Sequence, residues 1–336
     1  MKPKDDNDRL KTGTLPRDHE ADTEPMMPEG MPPRLSDMMP EAVRRMLARQ
    51  QGKEKAIPLP WETVADALGG GLWPGLHVLV GSTGAGKTAF CLQAAIHAAQ
   101  SGTPVLYIGL EAGDVEFVAR CFGALDAGTF WSGLFYGKNA ATPRIIEAHR
   151  AKLEALPFHV RLAPPNGWDH EDLMPAVEMM RKAYPEDRPI LIVLDFLQII
   201  GGSENDRRER IGRAAYQCRG VAREYNAAVL VASSTSRTNY DTAEKKDGKP
   251  EKDTPPGKGN PARYVGSGKE AGEIEYAADS VMVLLQEPWP GGERPMDGKT
   301  KCHLALAKVR AGQSAWRELQ FDGRAFTEPQ MGSFTA

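Results

Sequence analysis

The sequence predicts an α/β fold in which a mostly parallel central sheet is flanked by helices. From Trp61 onward, short apolar runs alternate with stretches whose apolar residues recur at helical spacing. The central runs, such as LIVL and VLVA, are continuously apolar, which is typical of strands buried on both faces of a parallel sheet. A glycine-rich segment, GSTGAGKT, joins the first of these runs to the first long helical stretch.

The predicted strands and helices alternate along the chain. Strands are expected at residues 76–80, 105–109, 159–162, 190–195, 228–233, 280–285 and 302–308. Helices are expected at residues 87–99, 115–122, 143–154, 171–184 and 208–225. Together these elements predict one domain over residues 57–330. A flexible insert, rich in Gly, Pro, Lys and Asp, is expected within it at residues 238–268.

The N-terminal segment differs from the rest of the chain. Residues 1–39 are expected to form a disordered tail, because they are rich in Pro, Asp, Glu and Met and show no helical or strand period. A short helix is expected at residues 41–50, within a linker over residues 40–56, with Pro40 tolerated at its first turn. Since so short a helix is unstable alone in water, it needs a surface to pack on.

Composition and charge narrow the class of protein. The 336 residues are 41% hydrophobic and 26% charged, which is enough for a sizeable core. The net charge of -3 means that any nucleic-acid binding must use a local basic patch. The chain has no run of 18 apolar residues and no secretory signal, so we expect a cytoplasmic protein without membrane contact. The four cysteines lack C-x-x-C spacing and are expected to be buried thiols.

The glycine-rich segment carries the clearest chemical signal. Gly81, Ser82, Thr83, Gly84, Ala85, Gly86, Lys87 and Thr88 fit the pattern G-x-x-x-x-G-K-[ST]. Its glycines permit a tight turn and a close backbone approach, so that N–H groups and the positive end of the next helix face an anion. Lys87 is expected to reach the β- and γ-phosphates of a nucleoside triphosphate, and the Thr88 hydroxyl to ligate Mg²⁺.

Two carboxylates at the ends of predicted strands complete this site. Asp195 ends the strand PILIVLD at the edge of the sheet where ligands bind, and it is predicted to act in Mg²⁺ binding. Glu111 directly follows the strand VLYIGL and is predicted to be the general base toward the attacking water. Glu116 is the nearest competitor for this role, but it lies inside the following helix.

Several segments, taken in order from residue 57 to 326, resemble the C-terminal RecA-like ATPase domain of the DnaB-type replicative helicases. GSTGAGKTAF resembles the phosphate loop of that family, YIGLE its strand ending in the catalytic glutamate, and DFLQI its D-Y-L-Q motif. KEAGEIEYAADSVMVL resembles its stretch ending in A-D-x-x-x-x-L, and AKVRAG and LQFDGR resemble its last two strands. Each piece alone is weak, but their shared order makes the resemblance specific.

The resemblance implies a homohexameric ring with ATP and Mg²⁺ bound between subunits. It implies ATP-dependent helicase or translocase activity on single-stranded DNA in DNA replication. It also implies that Lys308 and Arg310 reach into the neighbouring subunit's site. Positions two apart on a strand share a face, and we expect Leu304 and Leu306 to precede the two cations on that face. The helix at residues 41–50 would correspond to the linker helix that packs on the adjacent subunit, and a replication partner would engage the tail.

The chain departs from the family pattern in two places. Only the tail and the short helix precede the ATPase core, where the family carries an N-terminal helical domain. The family's S-Q-L-N-R reads S-S-T-S-R here, so Ser234 stands where a glutamine would sense the γ-phosphate, while Arg237 keeps its place. Because a hydroxyl is shorter than a glutamine side chain, the resemblance does not imply the family's coupling between hydrolysis and DNA binding at this position.

Two basic segments are candidates for DNA binding. The first contains Arg207, Arg208, Arg210 and Arg213. The second, residues 238–269, carries seven Lys and Arg against five acidic residues, with Tyr240 and Tyr264 as candidates to stack on bases. Contacts that follow the DNA backbone need cations but little sequence, so no base specificity is expected. Two alternatives stay open: a RecA/RadA-like or loader-type ATPase that assembles on DNA or a partner without unwinding, and an ATP-gated binding module whose partner engages the tail.

Overall fold

The computed structural model describes residues 30–126, 128–163, 167–201, 206–234, 257–265, 274, 276–287 and 298–329 of the chain. The chain divides into two compact units, Met1–Glu54 and Lys55–Ala336.

Over residues 30–54, the described part of the first unit, the chain forms helix α1 (Leu35–Gln50), which buries none of its residues. It begins six residues before the predicted start, so residues 35–39 belong to the helix rather than to a tail. Pro40 therefore lies inside the helix and not at its first turn. After the helix ends, Glu54 pairs with Arg45 at 2.6 Å and with Arg49 at 2.9 Å. These two ion pairs hold the following segment against the last turns of α1.

The second unit is built on one nine-stranded sheet. Its strands are β1 (Gly75–Gly81), β2 (Val105–Gly109), β3 (Phe158–Leu162), β4 (Ile190–Asp195), β5 (Ala227–Ser234), β6 (Ser280–Gln286), β7 (Thr300–Val309), β8 (Ala315–Phe321) and β9 (Phe326–Thr327). The order across the sheet is β3-β2-β4-β5-β1-β6-β7-β8-β9. The first six strands of that order pair in parallel, and β7, β8 and β9 add antiparallel pairs at one side. All seven predicted strands are present.

Helices cover both faces of this sheet. They are α2 (Glu62–Ala67), α3 (Lys87–Gln100), α4 (Asp114–Leu125), α5 (Trp131–Phe135), α6 (Thr142–Glu154), α7 (Leu173–Ala183) and α8 (Arg207–Glu224). On one face, α7 and α8 bury residues such as Val177 and Ile211 against the strands. On the other face, α2, α3 and α4 do so with Val64, Phe90 and Phe117. The predicted α/β fold with a mostly parallel central sheet is thus confirmed.

The sequence analysis missed the short elements α2, α5 and β9, and it indicated β8 only through the resemblance of LQFDGR to a family strand. Helices α2 and α5 have six and five residues, too few to show a helical period. Strand β9 has two residues and is defined by its pairing with β8. The partners in tertiary structure, rather than the local pattern, determine these elements.

The last part of the predicted insert is ordered against the sheet. Residues 235–256 lie outside the described part of the chain, but a short 3-10 helix, Pro261–Tyr264, packs on β7. Tyr264 is buried and its ring contacts Trp316 edge to face at 5.5 Å. The prediction of a flexible segment is therefore wrong for residues 257–265, and Tyr264 belongs to the core rather than to a base-stacking surface. Tyr240 lies outside the described residues.

The four cysteines are buried thiols, as predicted, and none forms a disulfide. No helix in the described ranges combines the length and the hydropathy that a membrane crossing requires.

Candidate nucleotide-binding site

The predicted phosphate loop joins the carboxyl end of β1 to the amino end of α3. Strand β1 is completely buried at the centre of the sheet, between β5 and β6. The loop and α3 therefore follow directly from a fully buried central strand. The loop lines a cavity of about 360 Å³, together with Glu111, Asp195 and Ser234. The geometry thus brings the phosphate loop and both predicted carboxylates to one edge of the sheet.

Gly86 is the position in the loop where glycine is required. Its φ of +91° lies in the left-handed region, which L side chains rarely adopt. A Cβ atom there would lie 2.8 Å from Phe326 and 3.0 Å from Phe321. These two rings stack at 4.4 Å, and Phe326 also contacts Phe90 and Trp61. Four aromatic rings from three parts of the sequence, namely Trp61, Phe90 and the pair Phe321 and Phe326, thus pack together beside the loop.

Lys87 is folded back onto its own loop. Its Nζ donates to the carbonyl oxygens of Gly81 at 3.0 Å and Ser82 at 3.1 Å. Burial lowers the pKa of Lys87, while the nearby Asp195 carboxylate opposes that shift. Since carbonyl dipoles hold the ammonium weakly compared with a phosphate, this arrangement keeps the cation at the loop ready for an anion.

Asp195 is buried at the end of β4, beside the phosphate loop. Its Oδ2 accepts a hydrogen bond from the Tyr107 hydroxyl at 2.8 Å, and it also pairs with the Thr88 side chain. Burial raises the pKa of Asp195, and the hydrogen bonds from Tyr107 and Thr88 oppose that rise. The hydroxyl of Thr88 and the carboxylate of Asp195 therefore form the pair of oxygen donors that a hard cation prefers.

Glu111 and Glu116 differ in availability. Glu111 is exposed and lines the cavity close to Thr88 and Asp195. Glu116 lies on α4 and pairs with Arg120 at 2.7 Å. This ion pair occupies Oε1 of Glu116, so its carboxylate is less available to a water at the loop. The geometry thus supports Glu111 over Glu116 as the general base.

The sequence analysis missed residues at the outer rim of the cavity. Arg120 lies with its guanidinium 3.9 Å from the centre of the Trp131 ring, and both side chains line the cavity. Arg324, in the turn between β8 and β9, lines it as well and lies over the Phe130 ring at 5.0 Å. The turn sequence DGR was a weak signal for Arg324. Nothing in the local pattern links Trp131 to the phosphate loop, because the packing of α5 on α4 brings it there.

Ser234 lines the cavity, as expected for the position of the family's glutamine. Its backbone N–H donates to Oε1 of Gln198 at 2.9 Å, and Nε2 of Gln198 donates to the Ser233 hydroxyl at 2.7 Å. Gln198 is the glutamine of the DFLQI segment and is buried. It ties the segment after β4 to the end of β5, so the two segments that lead into the candidate DNA-binding regions are joined by one side chain.

Arg310 lies at the opposite edge of the sheet from the phosphate loop, whereas Lys308 is level with Val78 in the middle of β1. Because β7 is antiparallel to β6, its carboxyl end lies beside the amino end of β1. Strand β1 is seven residues long, which separates the two edges by about 20 Å. Arg310 is therefore remote from the Lys87 of its own chain.

The prediction that Lys308 and Arg310 share a strand face with Leu304 and Leu306 is wrong. A bulge shifts the register between Val281 and Met282, so that Met282 is opposite Leu306 while Val281 is opposite Lys308. Val309, and not Lys308, continues the apolar face of Leu306, since Val309 packs in the same core cluster. Strand β7 ends at Val309, so Arg310 is the first residue of the following turn rather than a strand residue.

The candidate DNA-binding arginines lie on α8. Arg213 is exposed and pairs with Glu209 at 3.4 Å. Arg210 is partly buried. The side chains of Arg207 and Arg208 fall outside the described part of the structure. Strands β4 and β5, which precede α8 and the second candidate segment in the chain, are neighbouring parallel strands, and both end at the same edge of the sheet as β1.

Comparisons with known proteins agree with this architecture. Residues 63–328 match the model of the DnaB-like helicase C-terminal domain. A probable replicative DNA helicase of Trieres chinensis is 24% identical over 257 residues, which cover 74% of this chain and 51% of the relative. The chain thus spans about half the length of that relative.

Two solved structures share the fold. A DnaB-like replicative helicase, studied with its interactions with primase, has a TM-score of 0.67 at 15% identity, covering 88% of this chain and 67% of the other. The ATPase domain of G40P has a TM-score of 0.65 at 17% identity, covering 87% and 98%. Because the family model matches most of this chain, the chain belongs to the family of DnaB-like helicase C-terminal domains.

Proposed function

We propose that this chain is the ATP-hydrolysing motor of a replicative DNA helicase that acts as a homohexameric ring on single-stranded DNA. The observation that carries the proposal is the separation of Lys87 and Arg310 by the length of β1, about 20 Å. One copy cannot bring both groups to the same phosphate. A neighbouring copy can, and a head-to-tail contact of this kind generates a ring when the rotation closes.

The residues at the loop support ATP hydrolysis. The loop amides and Lys87 hold the polyphosphate, and the exposed Glu111 takes the proton of the attacking water. Thr88 and Asp195 fit Mg²⁺, because two oxygen donors already in contact lie beside the loop. When bound, Mg²⁺ neutralises charge on the β- and γ-phosphates. Arg310 of the neighbouring copy stabilises the charge of the transferring group, which is worth about 10³–10⁵ in rate.

The side chains at the rim of the cavity support binding of the nucleobase there. The Arg120 guanidinium is already stacked on Trp131, and a second planar cation, Arg324, lines the same cavity. Planar cations and aromatic rings both attract the face of a purine. We therefore assign the base to the rim and the phosphates to the loop.

Helix α1 supports assembly. It buries none of its residues, and Leu35, Met39, Val43 and Leu47 recur at a spacing of four and are exposed. An amphipathic helix with an open apolar face needs a partner surface. We assign α1 to packing on the adjacent copy, and we assign the tail before it to a replication partner.

The test combines three measurements on the purified full chain. ATP hydrolysis is measured with and without single-stranded DNA, strand displacement is measured on a forked duplex, and the particle mass is measured by light scattering. We expect stimulated hydrolysis, displacement and the mass of six copies, with Lys87→Ala inactive as the control. Hydrolysis that does not respond to DNA would refute the motor. An open filament that displaces no strand would point to the RecA/RadA-like alternative.

A further inference from the structure

The side chain of Asp279 lies between the amino end of β1 and Arg310. Asp279 directly precedes β6, and its carboxylate makes two separate contacts. Oδ1 accepts from Nε of Arg310 at 2.8 Å, and Oδ2 accepts from the backbone N–H of Leu76 at 2.9 Å. Both oxygens of one carboxylate are therefore used, each toward a different element.

The backbone reinforces this arrangement. The N–H of Asp279 donates to the carbonyl of Leu76 at 2.7 Å, and the N–H of Arg310 donates to the carbonyl of Asp279 at 2.8 Å. A Cβ atom on Gly75 would lie 2.8 Å from Oδ2 of Asp279, so the close approach depends on glycine at that position. Asp279 is thus held on both sides, and the position of its carboxylate is determined by buried strands.

Arg310 is otherwise an exposed residue in a turn. Its side chain is 47% exposed, and an arginine in such a place samples many rotamers unless a partner restricts it. The contact with Asp279 uses Nε, and among the described residues Asp279 is the partner of its guanidinium. This contact does not use the two Nη groups, and these are groups that can form a bidentate fork with phosphate oxygens.

We propose that Asp279 is a positioning residue that holds the Arg310 guanidinium toward the neighbouring copy's nucleotide. This inference rests on the proposed function, since it assigns a role to Arg310 across the interface. In this arrangement, strand β1 contributes to two nucleotide sites. The strand ends in the phosphate loop of its own site, and it begins at the residue that, through Asp279, orients the arginine of the next site.

The test uses Asp279→Asn, which keeps an oxygen for the Leu76 N–H but removes the charge that holds Arg310. We expect kcat for ATP to fall about 10- to 100-fold, as for a catalytic group displaced by about 1 Å, with KM and nucleotide affinity unchanged. In the Arg310→Ala background the same substitution should cause no further loss, because its effect passes through Arg310. Asp66→Asn removes a carboxylate of α2 that does not line the nucleotide cavity, and it is the matched control.

Rings assembled from two different variants distinguish a positioning role of Asp279 from a merely structural one. Asp279→Asn subunits mixed with Lys87→Ala subunits should regain hydrolysis, since the latter supply an oriented Arg310 to intact phosphate loops. Mixing with Arg310→Ala should restore nothing. An additive loss in the Arg310→Ala background, or no recovery with Lys87→Ala, would show that Asp279 acts on its own β1 and would overturn the inference. Normal hydrolysis by Arg310→Ala alone would refute the proposed interface site, and this inference with it.

Discussion

Complementation between two inactive variants tests the shared site most directly. Lys87→Ala removes the cation that holds the phosphates, and Arg310→Ala removes the cation that we assign to the neighbour's site. Because about 20 Å of buried sheet separates the two residues within one chain, each variant keeps the half that the other lacks. The mixture should therefore contain complete sites, although neither parent does.

The magnitude follows from the geometry of a head-to-tail ring. In an equal random mixture, about one interface in four joins an intact phosphate loop to an intact arginine. Independent sites would then give about a quarter of the wild-type rate, and coupling between sites lowers that figure. Each parent alone should fall by about 10³-fold or more. The assay is steady-state phosphate release after the subunits are mixed under dissociating conditions and reassembled.

Two results would refute this reasoning. A mixture that is no more active than the average of its parents would show that the two cations do not act in one site contributed by two chains. Hydrolysis by Arg310→Ala at the wild-type rate would show that Arg310 has no catalytic role. Nucleotide affinity of Arg310→Ala is the control, and we expect it to stay close to wild type, since the loop of each chain is intact.

The remaining predictions concern the loop and the core. Gly86→Ala should lower nucleotide affinity at least tenfold in a fluorescent-nucleotide titration, because its Cβ would meet Phe326 at 2.8 Å and its φ is +91°; wild-type affinity would contradict this. Phe326→Ala should cost about 3–5 kcal/mol of unfolding free energy in urea denaturation, as for a buried aromatic side chain, and a loss below about 1 kcal/mol would contradict the clustered packing. Burial raises the pKa of Cys121, Cys218 and Cys302 to about 12. A thiol reagent at pH 8 should thus react slowly with the folded chain and rapidly with four thiols after unfolding, whereas fast labelling of the folded chain would disprove their burial.

The agreement between sequence and structure is best where the information is local. The phosphate loop is a contiguous segment, and the apolar runs of β2 and β4 have the same bounds in the prediction and in the structure. The prediction was less accurate where elements depend on distant partners. For helix α1 the error was local: Pro40 suggested a first turn, because proline disfavours a helix interior, yet the helix begins at Leu35. Tyr264 is in the core because β7 and Trp316 cover it.

The residues of the candidate site fall into the same two groups, those that local sequence predicts and those that depend on distant partners. Lys87, Thr88, Asp195 and Glu111 could be predicted because parallel strands end at one edge, so the residues that follow them meet there. Trp131 could not, because its approach to the cavity depends on how α5 packs on α4. The bulge between β6 and β7 could not be predicted either, and it moved Lys308 to the opposite face from Leu306.

The sequence by itself determined the phosphate loop, its carboxylates and the strand–helix alternation, because backbone geometry, glycine content and side-chain periodicity act over a few residues. Only the tertiary structure decided that Arg310 lies across the sheet from its own Lys87, tethered by Asp279. The physical reason is the direction of β7. An antiparallel strand returns its carboxyl end to the edge where the parallel strands begin, and strand direction depends on pairing between residues far apart in the chain.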